Sequence, residues 1–180
     1  GGLAGQGIGR LVERSAKGGR IGGVPGARGG QPGLVGPLHG PVRSGDPGGF
    51  GAGVENRNVN HYPLVMNKLL GDKYVVKNFG VSGATLLKKG DKPYWKLKEF
   101  KDAGDFNPNI IVIKLGTNDT KPQNWKNGAE FAGDLAAMVD HFAALPAKPK
   151  IFLCLPVPVY ETKWGINEKD LTACVIPAIK

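Results

Sequence analysis

With 180 residues, 41% of them hydrophobic, the chain has enough apolar material for one ordinary domain core and too little for two. Its formal net charge of +9 is spread out, with Lys88-Lys89 as the longest unbroken basic run and no basic stretch interleaved with aromatics, so a nucleic-acid partner is not expected. No apolar window is long enough for a membrane span, and residues 1–30 lack the continuous apolar core of a signal peptide, so no membrane partner is expected and the compartment and oligomeric state stay open.

Glycine divides the chain in two. Of 29 glycines, 18 fall in residues 1–49 and 11 in the remaining 131. The first segment runs through Gly-Gly-Leu-Ala-Gly and Pro-Gly-Leu-Val-Gly-Pro-Leu-His-Gly-Pro, and sustains neither helical nor strand periodicity for more than a few residues. Residues 1–49 are therefore expected to be a disordered or non-native segment without a packed core, and residues 50–180 a partial α/β domain.

From Phe50 onward, amphipathic helices alternate with short apolar strands. Pro63 opens a helix carrying Leu64, Val65, Leu69 and Leu70, and Gly71 closes it. A β-rich run follows over 73–79, then a helix around 94–101. Residues 109–115, Asn-Ile-Ile-Val-Ile-Lys-Leu, are nearly all apolar, as in a central strand covered on both faces. A helix over 126–144 puts Phe131, Leu135, Met138, Val139 and Phe142 on one face, and residues 150–155 form another buried-strand pattern stopped by Pro156. A last helix begins at Asn167, a suitable N-cap, and carries Leu171, Val175 and Ile179. The expected fold is a three-layer α/β/α sandwich on a parallel, flavodoxin-like sheet, incomplete at both ends, with chemistry at the carboxyl ends of the strands.

The three loops at those ends are Asn78–Ala84, Gly116–Asp119 and Pro156–Pro158, roughly 35 to 40 residues apart. Asn-x-Gly-x-Ser-Gly at 78–83, followed by Gly-x-Asn-Asp at 116–119 after an apolar strand, resembles the blocks of the SGNH, or GDSL-type, esterase superfamily. The likeness covers about residues 50–180. Gly-Ala-Thr-Leu-Leu at 83–87 and Trp125 add similarity to sialate O-acetylesterases and acetylxylan esterases. The resemblance implies hydrolysis of acyl esters, O-acetyl esters of carbohydrates or other small molecules, through a covalent serine ester without metal or cofactor. It further implies export for many members.

In that family the tetrahedral oxyanion is held by the serine N–H, a glycine N–H and an asparagine amide, and motif matching places the last two on Gly83 and Asn118. Taken singly, Gly83 also suits a turn and Asn118 a loop cap. The first block, Gly-Asp-Ser-x-Thr, aligns with Gly45 and Asp46, which leaves Pro47 at the nucleophile position. Residues 37–43 make a poor first strand. The family's Asp-x-x-His block would lie beyond Lys180, and His39, His61 and His141 sit in no such motif, the last two at structural positions. The chain is therefore expected to be inactive.

Two other readings compete. Gly80-Val-Ser82-Gly-Ala84 resembles a nucleophile elbow with Ser82 as nucleophile, but a helix should then follow at once, and 85–92 is only weakly helical. Alternatively Trp125, Tyr160 and Trp164 line a groove of a non-catalytic carbohydrate-binding remnant. No GxGxxG or P-loop spacing supports nucleotide binding. Cys154 and Cys174 offer no metal-ligand spacing and are expected as buried thiols.

Overall fold

The computed structural model describes residues 11–14, 33–38, 62–71, 74–157, 159 and 163–180. Five strands make one sheet: β1 (Leu11–Arg14), β2 (Gly33–Leu38), β3 (Val75–Lys77), β4 (Ile110–Ile113) and β5 (Lys150–Cys154), in the order β1-β5-β4-β2-β3. Strands β2 to β5 are parallel, and β1 adds to the edge antiparallel to β5. The three expected strands are present, shortened at their ends. β4 is flanked on both sides, and Ile111, Val112 and Ile113 are all buried, which is why its apolar residues are consecutive rather than alternating.

Two strands come from the glycine-rich segment, where no strand was expected. β2 pairs with both β3 and β4, so hydrogen bonds from two neighbours supply what its sequence, Gly-Leu-Val-Gly-Pro-Leu, does not specify locally. Val35 lies opposite Ile111 but Leu38 opposite Ile113, so the register slips by one residue around Pro37. A bulge is where a residue without an N–H is tolerated in a central strand. The first-strand place, expected to be poorly filled by residues 37–43, is taken by Gly33–Leu38.

The helices follow the pattern more closely. α1 (Tyr62–Leu70) has Pro63 in its first turn and ends at Gly71 with φ +61°, and it packs on β3. The expected helix over 94–101 is a 3-10 turn at Tyr94–Lys96 followed by α2 (Lys98–Asp105), because Leu97 between them is extended. α3 (Pro122–Trp125) is a single turn, and α4 (Phe131–Ala143) buries Phe131, Leu135, Met138 and Phe142 toward the sheet. α4 meets both β5 and the C-terminal helix, which consists of α5 (Glu168–Asp170), a π turn (Leu171–Val175) and α6 (Ile176–Ile179). Pro177 cannot donate back into the preceding turn, a break in the ladder that accompanies the widened coil.

Asn167 caps this last helix as expected, its Oδ1 accepting from the N–H groups of Lys169 at 3.0 Å and Asp170 at 3.3 Å. Asn167→Ala should lower unfolding free energy by about 1 kcal/mol, read from the midpoint of urea denaturation. The thiols depart from expectation. Cys154 is half-buried and Cys174 exposed, since Leu171 and Val175 take the inward positions of its turn.

Candidate active site

The strand order places a crevice. From β2 the chain goes to β3 on one side, and β4 lies on the other, so the connections part at the carboxyl ends of β2 and β4. The stretch leaving β2 leads to Asp46 and Pro47, which lie outside the described residues, as do His39, His61 and Tyr160. The loops leaving β3 and β4 bring Gly83 and Asn118 together.

Val81–Ala84 is a tight turn closed by the Ala84 N–H donating to the Val81 carbonyl at 3.3 Å. Gly83 has φ +81°, the value a type II turn requires at its third residue and one that a Cβ would strain. The Lys92 ammonium donates to the Ser82 carbonyl at 2.9 Å. In a trans peptide the C=O and N–H point in opposite directions, so this bond also sets where the Gly83 N–H points.

Asn118 opens the 3-10 turn Asn118–Thr120 after β4 and is 2% exposed. Its Nδ2 donates to the Ala84 carbonyl at 3.2 Å, one residue past Gly83, and the second hydrogen of the NH₂ group has no acceptor among the described residues. Its Oδ1 is buried with no partner among the described residues, an arrangement that costs about 1–3 kcal/mol in an ordinary core. A peptide N–H and a neutral amide, close together beside a strand end, are donors suited to negative charge developing on an oxygen.

The loop 84–92 holding this arrangement is neither helix nor sheet, and side chains from later in the sequence take its amides. Asp119 accepts from the Leu86 and Leu87 N–H groups at 3.1 and 2.7 Å. Asp134 on α4 accepts from the Lys88 N–H at 2.8 Å, and Asn124 on α3 from the Asp91 N–H at 2.7 Å. The sequence reading assigned none of these three a role. Asp134 is only 7% exposed on the inward side of α4, and a carboxylate beside an apolar stripe was the signal that could have found it.

Asp119 is fully buried, and burial pushes its carboxyl up to about 6, while the Leu87 and Leu86 amides pull it down and Asp91 adds to the rise. With a folded-state value above the unfolded one, the native state holds the proton more tightly, so this group's contribution falls as pH rises from about 4 to about 6. Asp119→Asn should flatten that part of the pH–stability profile, measured as the difference between variant and parent urea midpoints at pH 4.5 and 7.

The other candidates separate. No helix follows Ser82: residues 86–92 are turns and bends after an isolated bridge of Thr85 with Pro93, contrary to what an elbow requires. His141 lies on α4 stacked on Phe100 at 4.6 Å, a packing role as expected. Trp125 is half-buried against Phe131, 6.1 Å between centroids. Trp164 is 65% exposed and held at φ +68°, on a loop tied to the Asn118 turn by the Asn167 N–H donating to Thr120 Oγ1 at 3.1 Å. Among the described residues no three His, Cys, Asp or Glu side chains gather as a metal site would, and no helix is long and apolar enough to cross a membrane.

Comparison with known proteins gives these positions a context. The GDSL-like lipase/acylhydrolase family model matches residues 46–174. An acetylxylan esterase from Xylanibacter ruminicola is 44% identical over 144 residues, covering 71% of this chain and 30% of that protein, so the chain spans less than a third of its relative's length. Among solved structures, the acetyl xylan esterase AlAXEase superposes with TM-score 0.57 at 17% identity, over 82% of this chain and 71% of that one. Est24, a carbohydrate acetylesterase from Sinorhizobium meliloti, superposes with TM-score 0.56 at 18% identity, over 82% of this chain and 79% of that one. At these identities the two structures speak for the fold, which is the expected α/β/α architecture.

Proposed function

The chain belongs to the GDSL-like lipase/acylhydrolase family, and we propose that its site is built for acyl transfer from O-acetyl esters of carbohydrates, with Gly83 N–H and Asn118 Nδ2 as oxyanion donors. The observation that carries this reading is the convergence of the Gly83 turn and the Asn118 amide, joined by the 3.2 Å bond from Nδ2 to the Ala84 carbonyl. Each donor of this type supplies about 2.7–4 kcal/mol of transition-state stabilisation. The acetylated-xylan type of substrate is favoured over a sialate ester by the acetylxylan esterase relative. Residues 50–180, together with the strands Leu11–Arg14 and Gly33–Leu38 that join their sheet, make up the proposed hydrolase domain.

The same alignment puts Asp46 on the aspartate of the first block and Pro47 on its serine. Proline has neither the hydroxyl that attacks nor the N–H that would be the third oxyanion donor. Residues 1–180 hold no Asp-x-x-His sequence to supply a general base. A polypeptide of these residues therefore keeps the anion-stabilising half of the site without the nucleophilic half. Treatment with a fluorophosphonate probe and peptide mapping tests this: no serine should be modified. Modification of Ser82 would transfer the mechanism to the elbow reading.

Trp164 favours a second activity at the same place, sugar binding without hydrolysis. A bulky residue at positive φ with its ring largely exposed is held there by its surroundings, and a flat apolar face at a site rim suits a pyranose ring. Trp164→Ala should weaken binding of acetylated xylo-oligosaccharides by about two- to tenfold in a calorimetric titration.

A further inference from the structure

We propose that Asp119 is the positioning residue of the oxyanion site: by accepting the Leu86 and Leu87 amides it clamps the chain just past Gly83 onto the turn that carries Asn118. This inference rests on reading Gly83 and Asn118 as the oxyanion donors. Asn118 and Asp119 are adjacent, so one rigid turn supplies one donor directly and holds the other through two hydrogen bonds of 3.1 and 2.7 Å. Loop 84–92 cannot set its own shape. Its internal bonds, Thr85 N–H to the Lys92 carbonyl at 2.9 Å and Gly90 N–H to the Leu87 carbonyl at 3.1 Å, close the loop on itself but do not attach it to the sheet.

Attachment comes from the Tyr94 N–H, which donates to the Thr85 carbonyl at 2.9 Å, and otherwise from side chains. Of the side chains that accept this loop's amides, only Asp119 acts on residues close to Gly83, since Asp134 takes Lys88 and Asn124 takes Asp91 further along; Trp95 Nε1 donates to the Leu86 carbonyl at 2.7 Å from the other side. Of the two carboxylates Asp119 is the more sealed from solvent, at 0% exposure against 7% for Asp134, so water cannot replace the lost acceptor. Its partners are backbone amides. The charged groups of the loop are engaged elsewhere: Lys88 with Asp134 at 3.4 Å, Lys89 with Glu130 at 2.5 Å, Lys92 with the Ser82 carbonyl at 2.9 Å, and Asp91 with Asn124 and Gln123 at 3.1 Å. When both carboxylate oxygens are acceptors, both amides are satisfied. A protonated or amidated group satisfies one and leaves the other facing a donor.

The test uses the unmodified chain and nuclear magnetic resonance. The Gly83 amide signal should shift with pH along the same curve as the Asp119 carboxyl carbon, and 50 mM sodium acetate, offered as an anion probe, should perturb both the Gly83 amide and the Asn118 side-chain NH₂ signals at pH 7 and the Asn118 signal alone at pH 5. In Asp119→Asn, hydrogen exchange at Leu86 and Leu87 should accelerate on the order of tenfold to a hundredfold, and acetate should perturb Asn118 without Gly83. Should that variant fail to fold, the titration of the parent chain decides alone. Leu86 and Leu87 signals that follow Asp119 while Gly83 stays still would overturn the proposal, reducing Asp119 to a loop staple. Failure of the acyl-transfer reading is seen separately, as fluorophosphonate on Ser82.

Discussion

Gly116→Ala is expected to lower the unfolding free energy by about 3 kcal/mol or more, one of the largest effects of any single methyl group in this chain. Gly116 follows β4 and begins the turn toward Asn118 at φ +119°, a conformation that side chains rarely adopt. A Cβ there would sit 2.7 Å from Val175 Cγ1 and 3.2 Å from Phe131 Cζ. Neither neighbour can yield cheaply. Val175 is fully buried in the π turn and Phe131 is 2% exposed at the start of α4, so relief would require two helices to move. Gly133→Ala is the control: it lies inside α4 with nothing within 4 Å of an added Cβ, and should raise stability by about 0.5–1 kcal/mol. Urea denaturation of both variants against the parent reads the two signs. A Gly116→Ala midpoint within error of the parent would mean that the turn before Asn118 is not held as described.

Esterase activity should respond still more strongly. Losing a triad serine together with its histidine lowers kcat on the order of 10⁶-fold in a serine hydrolase, and what remains comes from the oxyanion donors and binding. Under the proposed alignment the serine position falls on Pro47, which would remove an N–H donor as well. Pro47→Ser alone should not restore turnover, because a serine hydroxyl without a base to take its proton is a weak nucleophile at neutral pH. A chain with an intact Gly-Asp-Ser block and an Asp-x-x-His block joined to residues 50–180 should recover it. In that repaired chain Asn118→Ala should cost about 2.7–4 kcal/mol in kcat/KM, a hundredfold or more.

How much of this could be read in advance differed between elements for physical reasons. β4 and β5 were legible because buried parallel strands are apolar at consecutive positions, and α4 because Phe131, Leu135, Met138 and Phe142 recur at helical spacing. Gly83 and Asn118 were legible as candidate positions because each falls in a short motif in the loop that follows a strand. β2 was not, since Leu34, Val35 and Leu38 are interrupted by Gly36 and Pro37, and its place depends on partners far along the chain. The 3-10 turn at Tyr94–Lys96 was taken for part of a helix because spacing does not reveal that Leu97 is extended. The clamping of loop 84–92 was likewise invisible, for Asp119, Asn124 and Asp134 act on amides 32 to 46 residues away. Carboxylates and amides that satisfy backbone groups leave no periodic trace.

Hydrolysis of p-nitrophenyl acetate, followed at pH 7.5 for the 180-residue chain, Pro47→Ser and Ser82→Ala, tests the central claim most directly. All three are expected to remain at the buffer rate, while the chain with an intact Gly-Asp-Ser block and an Asp-x-x-His block turns over. Turnover by the unmodified chain that persists in Pro47→Ser and disappears in Ser82→Ala would contradict it, and would make Ser82 rather than the Pro47 position the nucleophile's place.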